Sequence, residues 1–202
     1  MEIKYVIFDL GKVLIPFDYA PFTKLLNEKE AGLGERFWEF YHENYFYHRD
    51  YERGDMSLDE FLAIMLKAVD YKIDGETFCK AFSEIFVVNE DVVSLLPRIA
   101  RNYRLFLLSN TSFMHRKFGW DKYNFFTPFE KLFLSYEVHA VKPEAKIYEH
   151  VMSYTKGKPE EHLFIDDVQD YVDGAKKAGW NAVLFAGFSN LEESLKEFNI
   201  KY

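Results

Sequence analysis

The sequence has a single cysteine, Cys79, so no internal disulfide can brace the chain. That usage suits a reducing compartment. It also lacks an excess of basic charge: 25 Lys and Arg stand against 33 Asp and Glu, a formal net charge of −8. Proteins that hold nucleic-acid backbones generally present a basic face, so the balance argues against that class. It leaves room for a small anionic ligand, which needs only a few placed cations and amides. Nowhere does an apolar run approach the ~18 residues that a membrane helix requires. The start Met1-Glu2-Ile3-Lys4 carries no secretory-leader pattern, and there is no internal repeat, low-complexity tract or Pro/Ser-rich linker. The expectation is a cytoplasmic protein, monomer or homodimer, with neither nucleic acid nor membrane as a partner.

What is present reads as a folded globule. Across 202 residues, 49% are apolar and 19% aromatic, enough for one substantial domain or a domain with a smaller insertion. Short runs apolar on both faces recur: Val6-Ile7-Phe8 before Asp9-Leu10-Gly11, Tyr103–Leu108, Lys131–Val138, Leu163–Ile165 and Asn181–Phe185. Buried parallel strands read this way. Between the later runs lie helix-like segments, Glu144–Tyr154 closing near Gly157 and Gln169–Ala178 closing at Gly179. The alternation predicts an α/β fold, a doubly wound parallel sheet whose ligands bind beyond the carboxyl ends of the strands. From Pro16 to Val87 the alternation stops, and helical patterns take over at Phe37–Tyr51, Leu58–Val69 and Glu76–Phe86. The predicted organisation is a core of residues 1–15 and 88–202 with a small helical cap of residues 16–87 inserted after the first strand.

The strand ends carry the chemistry. Asp9, Ser109-Asn110, Lys142 and Asp166-Asp167 all fall at or just past them. Three carboxylates, one lysine and small hydroxyl or amide donors suit Mg²⁺, which prefers oxygen ligands, together with a phosphate group. Asp9 has the chemistry to attack phosphorus. Ser109, Asn110 and the amides after them suit phosphoryl oxygens. Each group also has an ordinary structural reading: a strand-end carboxylate, a helix cap for Ser109-Asn110 or Asp166-Asp167, a solvated loop lysine. Their convergence favours the chemical one. The aromatic stretch Phe37-Trp38-Glu39-Phe40-Tyr41 through Tyr45-Phe46-Tyr47 reads first as packing of a small cap, with a sugar-facing wall as the alternative. His115 and His139 read as structural, and Cys79 as a small core residue.

With these residues in order, the chain resembles the haloacid dehalogenase superfamily of hydrolases, and most closely its bacterial α-D-glucose-1-phosphate phosphatase-like branch. The resemblance rests on Phe8-Asp9-Leu10-Gly11, Glu52-Arg53-Gly54-Asp55, Leu108-Ser109-Asn110-Thr111 with His115, Lys142-Pro143-Glu144 through His150, and Phe164-Ile165-Asp166-Asp167. It implies a Mg²⁺-dependent phosphomonoesterase acting on a small phosphorylated metabolite, a sugar phosphate by its branch, through an aspartyl phosphate. By position it implies Asp9 as nucleophile and metal ligand, and Gly11 as a metal ligand through its carbonyl. It implies Ser109, Asn110 and Lys142 at the phosphate, Asp167 as a direct metal ligand and Asp166 in support. The chain departs from the pattern at three places. Gly11 stands where most relatives have an acid–base aspartate, a group worth ~10²–10⁴ in rate. A bound water or Asp18 is the candidate substitute. Val168 and Tyr171 replace the usual small polar residue and asparagine. These departures sustain an alternative, a catalytically impaired phosphate-binding or regulatory protein on the same fold. Carbon–halogen cleavage is the weaker third reading, since it needs no metal carboxylates.

Overall fold

The computed structural model describes residues 2–202; Met1, the first residue of the expected 1–15 segment, lies outside them. Five strands, β1 (Tyr5–Phe8), β2 (Arg104–Ser109), β3 (Lys131–Leu134), β4 (His162–Asp166) and β5 (Asn181–Leu184), pair parallel in the order β3-β2-β1-β4-β5. Side chains alternate across a strand, and here both faces are covered. Tyr5 and Ile7 join Phe106, Leu108 and Phe164 on one face, and Val6 and Phe8 join Leu105, Leu107, Leu163 and Ile165 on the other. The first face packs on α10 (Ala145–Thr155) and α11 (Gln169–Lys177) through Ile147, Tyr148, Val151, Val172 and Ala175. The second packs on the short helices α6 (Glu90–Val93) and α7 (Leu96–Ile99) and on α12 (Phe188–Glu197). This is the doubly wound α/β fold, which explains why each strand reads as an unbroken apolar run.

Residues between β1 and α6 form five helices: α1 (Ala20–Lys29), α2 (Leu33–Glu43), α3 (Tyr45–Arg53), α4 (Leu58–Ala68) and α5 (Gly75–Ser83). Their shared core contains Phe22, Phe37, Phe61, Phe78 and Phe82, all fully buried, and extends to Met114 beyond the insert. The chain enters and leaves this layer side by side. Asp18 N–H donates to the Ile85 carbonyl at 3.0 Å, Val87 N–H donates to the Pro16 carbonyl at 2.8 Å, and Phe17 and Phe86 form an antiparallel bridge.

Four boundaries differ from the sequence expectation. The helix expected over Phe37–Tyr51 is broken at Asn44, whose backbone leaves helical angles and whose side-chain amide donates to the Phe40 carbonyl at 2.9 Å. The helix expected over Glu76–Phe86 stops at Ser83, because Phe86 is drawn into the bridge with Phe17. The strand expected over Lys131–Val138 ends at Leu134, and Ser135–Val138 forms the helical turn α9. The Ser135 hydroxyl lies 2.6 Å from the Glu52 carbonyl and accepts the Thr111 N–H at 2.9 Å, so local ties replace the next ladder bonds. α10 ends on left-handed Lys156, not on Gly157. Gly157 instead lies against Tyr5, where an added Cβ would stand 2.2 Å from the ring.

Candidate active site

β1 lies in the middle of the sheet between β2 and β4, with Phe8 in register with Ile165. The strand order reverses there, the place where a doubly wound sheet opens a crevice. That register sets Asp9, the first residue after β1, beside Asp166, the last of β4. Asp9, Asp166 and Asp167 each bring a carboxylate oxygen within 4.8 Å of the others. Lys142 closes the group, its Nζ donating to Asp9 Oδ1 and to Asp166 Oδ2 at 2.6 Å each. Asp166 and Lys142 are essentially inaccessible, at 0% and 1% exposure.

Charge and burial compete in this cluster. Burial opposes the charge on Lys142, but Asp166 and Asp9 outweigh it and raise its pKa. Burial raises the Asp9 carboxyl above the ordinary aspartate range, with Lys142 pulling the other way. Asp167, half-buried, is raised by burial and by the neighbouring Asp166 charge. Lys142 occupies only one oxygen each of Asp9 and Asp166, and Asp167 lies outside that ion pair, with Lys12 and Lys142 acting on it only at longer range. The donor set is all oxygen and suits a hard divalent cation. The Gly11 carbonyl accepts from Val13 N–H at 2.6 Å, which leaves it a second lone pair.

Asn110 and Ser109 are placed differently from each other. Asn110 lines the cavity, and its side chain grips the Lys142 main chain from both ends. Its Oδ1 accepts the Lys142 N–H at 2.8 Å, and its Nδ2 donates to the Lys142 carbonyl at 3.1 Å. Ser109 is buried, with its hydroxyl turned to the Asn110 carbonyl at 3.3 Å. Asp18 is exposed and accepts the Ala20 N–H at 2.9 Å, which spends it at the start of α1. Tyr171 sits with its ring 4.9 Å from Lys142 Nζ and its hydroxyl 3.3 Å from Asn110 Nδ2. Val168 donates its N–H to Asp166 Oδ1 at 2.8 Å, a main-chain contact that a different side chain would also make.

A cavity of about 350 Å³ opens over this cluster, between the strand ends and the helical insert. Asp9, Gly11, Asn110, Lys142, Asp167 and Tyr171 form its core side, and Tyr19, Trp38, Tyr41, Tyr45, His48 and Glu52 its insert side. The aromatic stretch therefore does two things: Phe37 fills the insert's core, while Trp38, Tyr41 and Tyr45 reach the cavity. His115, from α8 (Phe113–His115), lines the cavity too. His139 is an exposed left-handed residue at the end of α9, 4.0 Å from Asp55.

Sequence reasoning passed over Arg49. From α3 it donates to the Lys142 carbonyl at 2.5 Å and approaches the Tyr171 hydroxyl at 3.4 Å. One turn on, Arg53 pairs with Glu144. The two arginines, four residues apart on one helical face, fasten the insert to the loop that carries Lys142. Their spacing is visible in the sequence, but their target is not.

A family model described as haloacid dehalogenase-like hydrolase matches residues 3–179. Drimenol cyclase of Aspergillus calidoustus is 27% identical over 191 residues, which is 91% of this chain but 34% of that protein, so the chain spans about a third of that relative. D-ribitol-5-phosphate phosphatase of Bacteroides thetaiotaomicron is 23% identical over 185 residues, covering 88% of this chain and 89% of that one. A haloacid dehalogenase family enzyme from the same bacterium superposes with a TM-score of 0.82 at 26% identity, over 95% of this chain and 99% of its own. Its wild-type form, solved with magnesium and inorganic phosphate, gives a TM-score of 0.76 at 26% identity, over 90% and 93% of the two chains.

Proposed function

The chain belongs to the haloacid dehalogenase-like hydrolases, and on that premise we propose that it is a Mg²⁺-dependent phosphomonoesterase acting on a small sugar or sugar-alcohol phosphate. The observation that carries this reading is the convergence of Asp9, Asp167 and Lys142 at the floor of one cavity, with Asp166 buried directly behind them. Asp9 attacks phosphorus, the alcohol departs, and water hydrolyses the aspartyl phosphate on Asp9. Lys142 engages Oδ1 of Asp9, which leaves Oδ2, on the Gly11 side, as the attacking atom. The ammonium also offsets charge as the phosphoryl group approaches a carboxylate. Asp9, Asp167 and the Gly11 carbonyl hold Mg²⁺, with Asp166 supporting. Bound there, the metal supplies charge neutralisation at the phosphoryl oxygens. Asn110 and Arg49 act through Lys142, by fixing its main chain. Asn110, whose side-chain amide is spent on Lys142, offers the phosphate its backbone N–H, and Ser109, held only by a 3.3 Å contact, offers its hydroxyl.

Residues 16–87 act as the cap and residues 1–15 and 88–202 as the core, hinged where Pro16–Asp18 runs beside Ile85–Val87. The cavity's aromatic wall and the D-ribitol-5-phosphate phosphatase relative support a polyhydroxy substrate. The test is phosphate release from a panel of metabolite phosphates with Mg²⁺, by the wild type and Asp9→Asn. Turnover by the wild type that falls at least ~10³-fold in the variant, and stops on chelation, is expected for covalent catalysis with a lost nucleophile. Full activity in Asp9→Asn would overturn the assignment.

A further inference from the structure

We infer that Glu52, His48 and His115 form a hydroxyl-recognition subsite on the cavity wall, one that selects phosphates of uncharged polyhydroxy chains. The inference rests on the phosphatase reading and extends it to the substrate's remainder. None of the three residues belongs to the Asp9 cluster, yet all line the same cavity. Their exposures are 8% for Glu52 and 5% for each histidine, so they are committed polar groups in an aromatic layer. Glu52 Oε1 lies 3.3 Å from His48 Nε2, and the His48 and His115 rings are 6.2 Å apart. Nδ1 of both histidines has no hydrogen-bond partner among the described residues. Buried polar groups ordinarily find partners, and exceptions mark strain, function or a missing ligand.

The protonation states sharpen the match. Burial pushes the Glu52 carboxyl up, but the His48 charge and contact, with His115 and Arg49, hold it below the usual range, so it is ionised and only accepts. Burial, then the His48 charge, push His115 down to about 3, so at neutral pH it is a neutral imidazole. A neutral imidazole carries one donor and one acceptor. A carboxylate near that ring meets neighbouring hydroxyls, each of which donates and accepts. Trp38, Tyr41 and Tyr45 add flat apolar faces for the C–H side of the same chain. A second anionic group on the substrate meets the Glu52 charge and is disfavoured. An ammonium group fits an aromatic wall as well, but Glu52 already has His48 as its partner.

The test compares kcat/KM for D-ribitol 5-phosphate, glucose 6-phosphate, phosphoglycerate, aminoethyl phosphate and 4-nitrophenyl phosphate, with Mg²⁺ present. The last offers no hydroxyl and reports on the phosphate end alone. The variants are Glu52→Gln and His115→Phe, the second chosen because it keeps a ring stacked on Phe82 at 5.5 Å. Wild type should prefer the polyol or sugar phosphates over phosphoglycerate and aminoethyl phosphate. In each variant the selectivity ratio of polyol phosphate over 4-nitrophenyl phosphate should fall at least ~10-fold, through KM more than kcat, the size expected when a buried hydrogen-bonding group loses its partner. Parallel loss on every substrate, an unchanged ratio, or a wild-type preference for aminoethyl phosphate overturns the subsite while leaving the phosphatase standing. Wild type that hydrolyses none of the five overturns the phosphatase reading and the subsite with it.

Discussion

At the scale of single residues, Gly11 is the position whose meaning changes most between sequence and structure. Its backbone has no positive φ, and an added Cβ would meet nothing closer than Phe17 Cε1 at 3.4 Å. Packing therefore does not require glycine, and the missing carboxylate is a matter of chemistry. Gly11→Asp should fold, and it should raise turnover of primary-alcohol phosphates ~10-fold or more relative to 4-nitrophenyl phosphate. A poor leaving group gains most from a proton donor. Equal change on both substrates would refute this. His115 gives a second residue-scale expectation. Its folded pKa lies near 3 against an ordinary 6.5, so between those values the unfolded chain binds more protons and stability falls as pH falls. From pH 7 to pH 5 the loss is about 2 kcal/mol from this group. Glu52, also depressed, adds to the loss only at lower pH, near the ordinary carboxylate range. The raised Asp9 carboxyl works in the opposite direction over the same interval, so the check is the difference between proteins. Going from pH 7 to pH 5, the urea midpoint of the wild type should change less favourably than that of His115→Phe, which keeps every other titrating group. Asp9 and Asp166-Asp167 were legible because each ends an apolar run, whereas Lys142 sits on the loop beyond α9 and was legible only through the motif it shares with Pro143-Glu144. The subsite histidines were not, because a lone histidine on a helix shows no sign of what faces it.

At the scale of elements, α3 joins the insert to the core, and its C-terminal half is fixed in two ways. Arg49 and Arg53 hold the Lys142–Glu144 loop. Gly54, just past the helix, has φ +81°, and an added Cβ would stand 2.4 Å from the Tyr136 carbonyl oxygen of α9. Here glycine is required twice over, by backbone angle and by contact. Gly54→Ala should cost at least ~2 kcal/mol in urea unfolding and should lower kcat/KM by displacing α3 from the loop that carries Lys142. An unchanged midpoint would show that the α3–α9 contact yields easily. The same element marks where sequence reading ran out. A single helix over Phe37–Tyr51 fits the periodicity, and neither Gly nor Pro announces the break at Asn44. That break re-aims Tyr45 and His48 at the cavity, so the aromatic stretch divides between core and wall according to a kink that its composition does not record. β3 is similar: Ser135-Tyr136-Glu137-Val138 continues an extended pattern, and what ends the strand is a hydroxyl tied to residues distant in sequence.

At the scale of the whole molecule, the carboxylate cluster exists only when the sheet does. Asp9 and Asp166-Asp167 come from opposite ends of the chain and meet because β1 pairs with β4. The alternation of apolar runs made a parallel sheet legible, while the pairing of the first strand with the fourth is fixed by the crossovers and is written in no single segment. A ligand that needs this pairing binds the native state alone and stabilises it by mass action. Asp9 and Asp166 share one ammonium, and the Asp167 carboxyl, outside that ion pair, is raised partly by the Asp166 charge beside it. A divalent cation relieves that repulsion. At a hundredfold excess over its dissociation constant, Mg²⁺ should add about 2.7 kcal/mol, a rise in Tm of roughly 5–10 °C for a domain of this size. Chelator should reverse the shift, and Asp167→Asn should abolish most of it while leaving the metal-free Tm no lower, since the substitution removes one of the crowded charges. A melting curve indifferent to Mg²⁺ at millimolar concentration would mean that Lys142 alone balances the cluster, and the metal assignment would fall with it.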